Sequence, residues 1–289
     1  EVEYTEEMRR KEDRRSRLLE INKIAATYYY RQLRSENGKA GLDYLKKREL
    51  SDSTINSFGL GYATQSTGNL YKLLKDKGYD DDILKESGLF TYERGIHEKF
   101  WNRVIFPIMD INNKFIGFGG RVMGDAKPKY LNSPETRLFD KSRNLYGLNI
   151  ARTSRKPNMI ICEGYMDVIS MHQAGFNQAV ASLGTALTPG HARLLKRYTD
   201  NVLITYDSDE AGVKAALRAI PLLKEAGLST KVINMRPYKD PDEFIKAMGA
   251  EAFQERIDNA ENSFMYEIGT MLRNYDRGDP ESETAFERA

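Results

Sequence analysis

Apolar runs alternate with helical patterns through the second half of the chain, and this alternation restricts the fold more than any other feature. The short runs NMIIC, QAVASL, NVLITY and KVINM are each followed by a stretch with helical spacing. Short apolar strands separated by helices are typical of a parallel sheet with crossover helices. The pattern therefore predicts an α/β subdomain over residues 157–250, with helices on both faces of its sheet.

In the rest of the sequence the apolar residues have other spacings. Residues 1–93 carry apolar side chains at helical spacing, and SDSTINSF and YDDDILKESG resemble capped helix starts. VIFPIMDI and KFIGFGGRV flank the turn pair Asn112-Asn113, which predicts a β-hairpin. We expect a mixed α+β subdomain over residues 1–156 and a helical subdomain over residues 251–289.

Composition argues against several classes of protein. The 289 residues are 40% hydrophobic and 30% charged, which is typical of a globular protein. The sequence contains no apolar run long enough to cross a membrane and no apolar signal-peptide core, so we expect a cytoplasmic protein without a membrane partner. One cysteine and three scattered histidines argue against disulfides and structural zinc. Any bound metal must therefore have oxygen ligands.

Acidic residues follow three of the four predicted strands. They are Glu163 after MIIC, Asp167 four residues further on, Asp207 and Asp209 after NVLITY, and Asp240 and Asp242 shortly after KVINM. Open parallel sheets bind ligands beyond the carboxyl ends of their strands, so these side chains should converge. Crowded carboxylates remain ionised together when cations lie between them. Hard divalent ions such as Mg²⁺ or Mn²⁺ suit such an all-oxygen site.

The acidic segments also have other interpretations. Asp240 and Pro241 form an ordinary helix start, with Asp240 as the cap. DSDEAG is not a calcium loop, because Ala211 and Arg218 stand where that loop needs oxygen ligands. The same segment matches the strand-end Asp-x-Asp of aspartyl-phosphate phosphotransferases, whose first aspartate is a nucleophile. That chemistry does not require the acids on the earlier strand.

A basic segment precedes the acidic one. Residues 94–156 contain 13 Lys and Arg against 5 Asp and Glu, whereas the net charge of the whole chain is only +2. This excess indicates either a solvated charged surface or a surface for a polyanion such as nucleic acid or a nucleotide.

At this point the motifs match a known family. EGYMD, DSD after an apolar strand and DPD after the next strand resemble the three acidic motifs of the TOPRIM domain. Primases, type IA and type II topoisomerases and some nucleases share this domain. The segments VIFPI, IGFGGRV, PKYLNSPET, LYGL and VASLGTALT extend the resemblance to the RNA polymerase core of bacterial DnaG-type primases, over residues 94–245.

The resemblance implies a DNA primase, an enzyme of the primosome. Such a nucleotidyltransferase is a DNA-directed RNA polymerase that joins ribonucleoside triphosphates into short RNA primers on single-stranded DNA during replication. It implies two or more Mg²⁺ or Mn²⁺ ions and no zinc in this part of the protein. The zinc-binding and helicase-interacting domains of DnaG-type primases lie outside this sequence, so a replicative helicase is expected as a partner through an absent domain.

The resemblance also implies roles for individual residues. Glu163, Asp207 and Asp209 are expected to be catalytic metal ligands, with a general acid or base role left open for Glu163. Asp167, Asp240 and Asp242 are expected as further metal ligands. The predicted nucleotide- and DNA-binding residues are Arg121, Lys129, Tyr130, Asn132 and Lys141.

The sequence departs from the family pattern at two places. Lys99-Phe100-Trp101 stands where many relatives have Arg-Phe-Arg, and Ser208 stands where the middle of the Asp-x-Asp is often glycine. We interpret Trp101 as a core residue in preference to a base-stacking one.

Other residues have less specific interpretations. Close backbone approach or turn formation explains Gly117, Gly119 and Gly120, and Ser182 to Thr185 is expected to line a pocket. Two alternatives to a primase remain open: another TOPRIM enzyme, either a topoisomerase or a nuclease, and a non-catalytic nucleic-acid-binding module whose acids cap helices.

Overall fold

One long helix organises the N-terminal part of the structure. The computed structural model describes residues 6–274 and begins with α1 (Glu6–Leu33). One face of α1 is buried at spacings of three and four residues, at Leu18, Ile21, Ala25, Tyr29 and Leu33. The middle of this face packs against Ile105 and Phe118 of the neighbouring sheet. The apolar spacing of α1 is therefore explained by one buried stripe.

Short helices and strands follow α1 up to residue 151. They are α2 (Lys39–Lys47), α3 (Asp52–Ser57), β1 (Gly61–Ala63), α4 (Asn69–Asp76), α5 (Asp81–Glu86), β2 (Phe90–Thr91), β3 (His97–Glu98), β4 (Arg103–Met109), β5 (Phe115–Val122), β6 (Tyr130–Asn132) and α6 (Leu148–Ala151), with 3₁₀ turns at Glu36–Gly38 and Lys141–Arg143. Both predicted helix caps are confirmed. Ser51 accepts a hydrogen bond from the Thr54 N–H, and Asp80 accepts one from the Ile83 N–H.

An antiparallel sheet in the order β1-β4-β5-β6 forms the basic half of the structure. The predicted hairpin at Asn112-Asn113 is confirmed, since it joins β4 to β5. Asp110 stabilises the turn, because its Oδ1 accepts hydrogen bonds from the N–H groups of Asn112 and Lys114. Asn113 has a φ of 59°, a left-handed conformation that asparagine tolerates well.

A second sheet contains the acidic segments. Its order is β11-β10-β9-β7-β8, in which the four strands β8, β7, β9 and β10 are parallel and β11 is antiparallel to β10. The strands are β7 (Met159–Cys162), β8 (Ala179–Ala181), β9 (Asn201–Ile204), β10 (Ser229–Val232) and β11 (Glu261–Asn262). The helices are α7 (Tyr165–Gln173), α8 (Pro189–Lys196), α9 (Glu210–Glu225), α10 (Pro241–Asp258) and α11 (Ser263–Asn274).

Helices cover both faces of this sheet, as predicted. Ile160 and Cys162 of β7 belong to a core with residues of α7 and α10. Met159 and Ile161, which point to the opposite face, belong to a core with residues of α8 and α9. Strands buried on both faces explain why the sequence shows continuous apolar runs instead of alternation.

The last described elements are only partly helical. α10 bends at Gly249, whose φ is 86°, next to the predicted subdomain boundary at residue 250. The expected helical subdomain is interrupted by β11, which pairs with β10 at the edge of the parallel sheet. Residues 275–289 of that expected subdomain lie outside the described residues. Among residues 6–274, no helix combines the length and the apolar composition that crossing a bilayer requires.

Tyr165 joins the two sheets. It is the first residue of α7, and its ring stacks on Phe106 of β4 with the centroids 4.8 Å apart. Its hydroxyl donates a hydrogen bond to Asn132 Oδ1 on β6 at 2.7 Å. Gly119 of β5 provides the space, because a Cβ atom at that position would overlap the Tyr165 ring. Gly119 therefore permits the close approach of a side chain of the protein itself.

We predict that Gly119→Ala lowers the free energy of unfolding by about 1 to 3 kcal/mol, as overpacking of a core does. The same substitution in a Tyr165→Leu background should cost clearly less, because the ring that the new methyl group meets is gone. Urea denaturation of the wild type, the two single variants and the double variant measures this coupling. Equal costs in the two backgrounds would show that the Tyr165 ring does not determine the choice of glycine.

Candidate active site

Glu163 and Asp207 meet where the neighbouring strands β7 and β9 end. Glu163 follows β7 directly and is exposed. Its Oε1 accepts a hydrogen bond from the Asp207 backbone N–H at 2.9 Å, which connects the ends of the two neighbouring parallel strands. We call the group of Glu163, Asp167, Asp207, Asp209 and Asp240 the acidic rim.

Three members of the acidic rim bind backbone N–H groups where helices begin. Asp209 caps α9 through the Gly212 N–H at 2.9 Å, and Asp240 caps α10 through the Glu243 N–H at 2.8 Å. Asp167, in the first turn of α7, accepts from the Gly164 N–H at 3.1 Å. The predicted capping role of Asp240 is thus confirmed. Each of these bonds uses one carboxylate oxygen, so capping and metal binding do not exclude each other.

Burial and mutual repulsion disfavour the charged forms of these acids. Burial, with the nearby charges of Asp240 and Asp207, raises the pKa of Asp167 to about 8. The pKa of Glu163 is raised by partial desolvation of its carboxylate and then by the charges of Asp207 and Asp209. Burial also raises the pKa of Asp207. Full ionisation of these acids is therefore unfavourable unless a bound cation offsets their charge.

Lys239 partly compensates this charge. Its Nζ lies 3.3 Å from Asp207 Oδ2, and the bond to Asp207 raises the pKa of Lys239. The charges of Asp209 and Asp240 act in the same direction. Sequence reasoning missed Lys239, although it directly precedes Asp240. An ammonium group among carboxylates marks the rim as a place where positive charge is favourable.

Ser208 links the loops after β9 and β10. Its N–H donates to the Lys239 carbonyl at 2.8 Å and its hydroxyl donates to the Tyr238 carbonyl at 3.0 Å. A glycine at this position could make only the first bond. The departure from the family pattern therefore adds a connection between the two acidic loops.

Asp242 lies behind the rim and has different contacts. It is 4% exposed, and its Oδ1 accepts from the Ser170 hydroxyl at 2.6 Å. Its Oδ2 accepts from Arg48 at 2.6 Å and from Lys246 at 3.0 Å. Both oxygens therefore already have protein donors, and they connect α10 to α7 and to the end of α2. Arg48 was missed from the sequence, because its partner is 194 positions away.

The ligand atoms that the acidic rim offers are suited to a divalent ion. All of its ligand atoms are oxygens, and the pKa values of Glu163, Asp167 and Asp207 are raised by desolvation and by the neighbouring carboxylates. As the side chains stand, no three His, Cys, Asp or Glu residues within 6–274 lie in a group that could hold an ion.

The predicted nucleotide-binding residues lie along β5, β6 and the turn that follows. Arg121 packs over the Tyr44 ring at 4.2 Å, and Lys129 is exposed. Tyr130 is 38% exposed, and burial raises its pKa to about 12. Asn132 accepts from Tyr165 and donates to the Leu183 carbonyl at 3.0 Å, so its amide joins the two subdomains. Lys141 begins the second 3₁₀ turn.

Lys99 lies near two further cations of the basic segment, Lys141 and Arg103. Lys99 is half-buried; burial lowers its pKa, and the charges of Lys141 and Arg103 add to this effect. Arg103 donates to the Gly120 carbonyl at 3.2 Å. Within the described range, none of these three side chains forms a salt bridge. Sequence reasoning did not select Lys99 or Arg103 as site residues, although both lie in the basic segment.

The interpretation of Trp101 as a core residue is wrong. The side chain is 44% exposed, whereas the neighbouring Phe100 is 1% exposed and fills the core. Consecutive residues of an extended chain point to opposite sides, so only one of the two can be buried.

The remaining expectations concern the glycines and the β8–α8 loop. Gly117 and Gly120, like Gly119, leave space for side chains of the protein, since the aromatic rings of Phe139 and Phe100 lie where their Cβ atoms would point. Ser182 and Thr185 line a pocket of about 150 Å³ together with Glu163, Tyr206 and Arg218, which confirms that this loop lines a pocket.

Comparison with known proteins agrees with this geometry. A family model described as "DNA primase catalytic core, N-terminal domain" matches residues 28–152, and one described as "Toprim-like" matches residues 160–245. A structure of the DnaG primase catalytic domain bound to ssDNA is similar with a TM-score of 0.84 and 34% identity. The match covers 94% of this chain and 88% of that one. The chain belongs to the DnaG-type primase family.

Other members of the DnaG-type primase family are similar over comparable lengths. A DNA primase domain from Pseudomonas aeruginosa matches with a TM-score of 0.83 and 37% identity, over 93% of this chain and 87% of that one. The DNA primase of Clostridium acetobutylicum is 47% identical over 268 residues. That match covers 92% of this chain but 45% of the relative, so the chain spans less than half the length of this DnaG-type protein.

We predict opposite stability effects for Asp207→Asn and Asp242→Asn in metal-free protein. Asp207→Asn removes a charge that burial disfavours, so the free energy of unfolding should stay equal or rise by up to about 1 kcal/mol. Asp242→Asn leaves Arg48 and Lys246 without their buried carboxylate and should lower it by about 2 kcal/mol. Urea denaturation with a chelator present measures both. An equal decrease in the free energy of unfolding for the two variants would contradict the different roles of Asp207 in the rim and Asp242 in the buried ionic network.

Proposed function

We propose that this chain is the catalytic core of a DNA primase that joins ribonucleoside triphosphates into short RNA primers on a single-stranded DNA template. The observation that carries the proposal is the acidic rim at the strand ends of a Toprim sheet, joined through Tyr165 and Asn132 to strands of the basic segment. Relatives named DNA primase and a similar domain solved with single-stranded DNA support it.

The acidic rim is proposed to hold Mg²⁺ or Mn²⁺, two or more ions in total. Glu163, Asp207 and Asp209 are the proposed principal ligands. Glu163 and Asp209 each use one carboxylate oxygen for a backbone N–H, and Asp207 uses one for Lys239. When bound, such ions neutralise phosphate charge and lower the pKa of an attacking hydroxyl.

The other acids take supporting positions in this proposal. Asp167 and Asp240 belong to the rim as further ligands, since each keeps a second oxygen beyond its backbone bond. Asp242, which was expected as a ligand, holds the first turn of α10 against Arg48 and Ser170. It therefore acts on the rim by positioning Asp240, two residues earlier. Lys239 favours the ionised form of Asp207 through its hydrogen bond.

The basic strands are proposed to bind the phosphates of nucleotides and template. Arg121 offers a guanidinium for forked contacts, and Lys129 and Lys141 offer mobile point charges. Tyr130 follows Lys129 in the chain, and its ring stacks on the Tyr165 ring with the centroids 6.3 Å apart. Tyr165 also begins the helix that bears Asp167. The distance and orientation between substrate phosphates bound at β6 and the acidic rim are therefore fixed. Orientation of this kind supplies a large share of catalysis in group transfer.

The wider setting of the protein is also part of the proposal. A replicative helicase is the expected partner through a domain outside this chain, and the expected compartment is the cytoplasm.

One assay distinguishes a primase from the two alternatives, another TOPRIM enzyme and a non-catalytic binding module. Incubation with single-stranded DNA, ribonucleoside triphosphates and Mg²⁺ or Mn²⁺ should yield RNA oligomers. Cleaved or relaxed DNA would favour the first alternative, and binding without products the second.

We predict that Asp209→Asn reduces primer synthesis at least about 100-fold, because it removes a ligand charge from the proposed metal site. Asp200→Asn is the matched control, since Asp200 is an exposed aspartate at the amino end of the same strand, away from the rim. It should keep wild-type yield. Wild-type yield of Asp209→Asn at saturating Mg²⁺ would exclude the proposed metal role.

We predict that Lys129→Ala weakens binding of labelled single-stranded DNA or nucleotide and reduces the slope of log affinity against log salt by about one unit. The loss should be largest at low salt, where phosphate contacts contribute most. Mn²⁺ binding, measured by calorimetry, should stay unchanged because its proposed ligands belong to the other sheet. Lys77→Ala, an exposed lysine on the C-terminal side of α4, is the control. An unchanged salt slope for Lys129→Ala would refute a phosphate contact.

A further inference from the structure

Trp101 presents an aromatic surface to solvent at the start of β4. Its side chain is 44% exposed, and the sequence contains no other tryptophan. The exposed apolar residues of α11, such as Phe264, have apolar neighbours, for example Met265. Trp101 instead lies between Lys99 and Arg103 in the chain. An exposed ring within a basic segment calls for a different explanation than an exposed apolar helix face.

The indole ring is held in place. Its Nε1–H donates a hydrogen bond to the Gln65 carbonyl at 2.8 Å. The next residue, Asn102, fixes the backbone, because its side chain accepts from the Tyr62 hydroxyl at 2.5 Å and donates to the Met123 carbonyl at 2.8 Å. A ring fixed in this way loses little conformational entropy when a ligand stacks on it.

Two lysines of the basic segment have no acidic partner within the described residues, since neither Lys99 nor Lys141 forms a salt bridge there. Arg103 is 6% exposed, and its guanidinium donates to the Gly120 carbonyl at 3.2 Å and to the Lys129 carbonyl at 3.4 Å. Lys99 lies close enough to Lys141 and Arg103 for their charges to oppose its own. An anion with flat apolar groups would satisfy both the cations and the ring. Single-stranded nucleic acid has this composition, since bases stack on aromatic side chains while phosphates meet cations.

We propose that Trp101 is a stacking platform for a base of the single-stranded template. This proposal rests on the proposed function and adds a contact outside the acidic rim. Trp101 precedes β4, and β5 separates β4 from β6, so two strand spacings, about 10 Å, lie between β4 and the strand next to the rim. Trp101 is therefore a positioning residue that holds the template and does not touch the reacting atoms.

The single tryptophan makes a direct test possible. Excitation of tryptophan reports Trp101 alone, so titration with an oligo(dT) strand should quench or shift its emission with the same midpoint as the anisotropy of the labelled strand. Ribonucleoside triphosphate added alone should leave the emission unchanged. Emission that stays constant at saturating oligo(dT) would overturn the proposal.

A substitution cycle separates stacking from charge. Trp101→Ala should weaken oligo(dT) binding roughly fivefold or more, whereas Trp101→Phe, which keeps a ring but loses the N–H bond to Gln65, should weaken it less than about threefold. Phe264→Ala, an exposed aromatic on α11, is the matched control and should have no effect. An abasic strand of equal length keeps the phosphates and lacks the bases. Wild type and Trp101→Ala should bind the abasic strand equally.

The outcomes distinguish this proposal from the proposed function. In the priming assay, Trp101→Ala should raise the KM for template while kcat stays near wild type, since the acidic rim is intact. Equal losses of Trp101→Ala on oligo(dT) and on the abasic strand would overturn stacking while leaving primer synthesis as proposed. Absence of RNA products from the wild type, with the base-dependent loss retained, would instead refute the primase activity and leave the stacking contact.

Discussion

The packing of Tyr165 between the two sheets is the interaction on which the rest of the site depends. Tyr165 lies two residues after Glu163 and two before Asp167, yet its ring is buried among residues of the other subdomain. It stacks on Phe106 and meets the edge of Tyr146 at 4.7 Å. The same short segment therefore provides acids to one side and the contact between subdomains to the other. Any movement of the basic strands relative to the acids must disturb this aromatic packing.

The acids of the site differ in role despite their similar sequence context. Asp240 and Asp242 belong to one Asp-Pro-Asp segment, but the first caps α10 at the rim and the second is buried in an ionic network with Arg48 and Lys246. Pro241 separates them at the first turn of the helix, where side chains two apart point in different directions. One motif thus places one residue at the acidic rim and the other in the buried framework.

Local signals in the sequence predicted most of the fold. The four parallel strands followed from apolar runs, and the caps of α3 and α5 from Ser51 and Asp80. β11 has two exposed polar residues and no apolar pattern, so only its pairing with β10 defines it. Arg48 and Lys239 were missed because their importance comes from partners brought near by folding. Trp101 was misjudged because composition alone does not show which of two neighbouring aromatic residues faces the core.

Lys239 has a consequence for how the protein is assembled. Its ammonium group and the helix N-termini at Asp209 and Asp240 already offset part of the repulsion at the rim. The polypeptide can therefore complete its tertiary structure before it encounters a divalent ion. In the proposed function, metal loading would then be a separate equilibrium in which the incoming ion competes with a tethered lysine. The ion concentration would control turnover without controlling how much of the protein is folded.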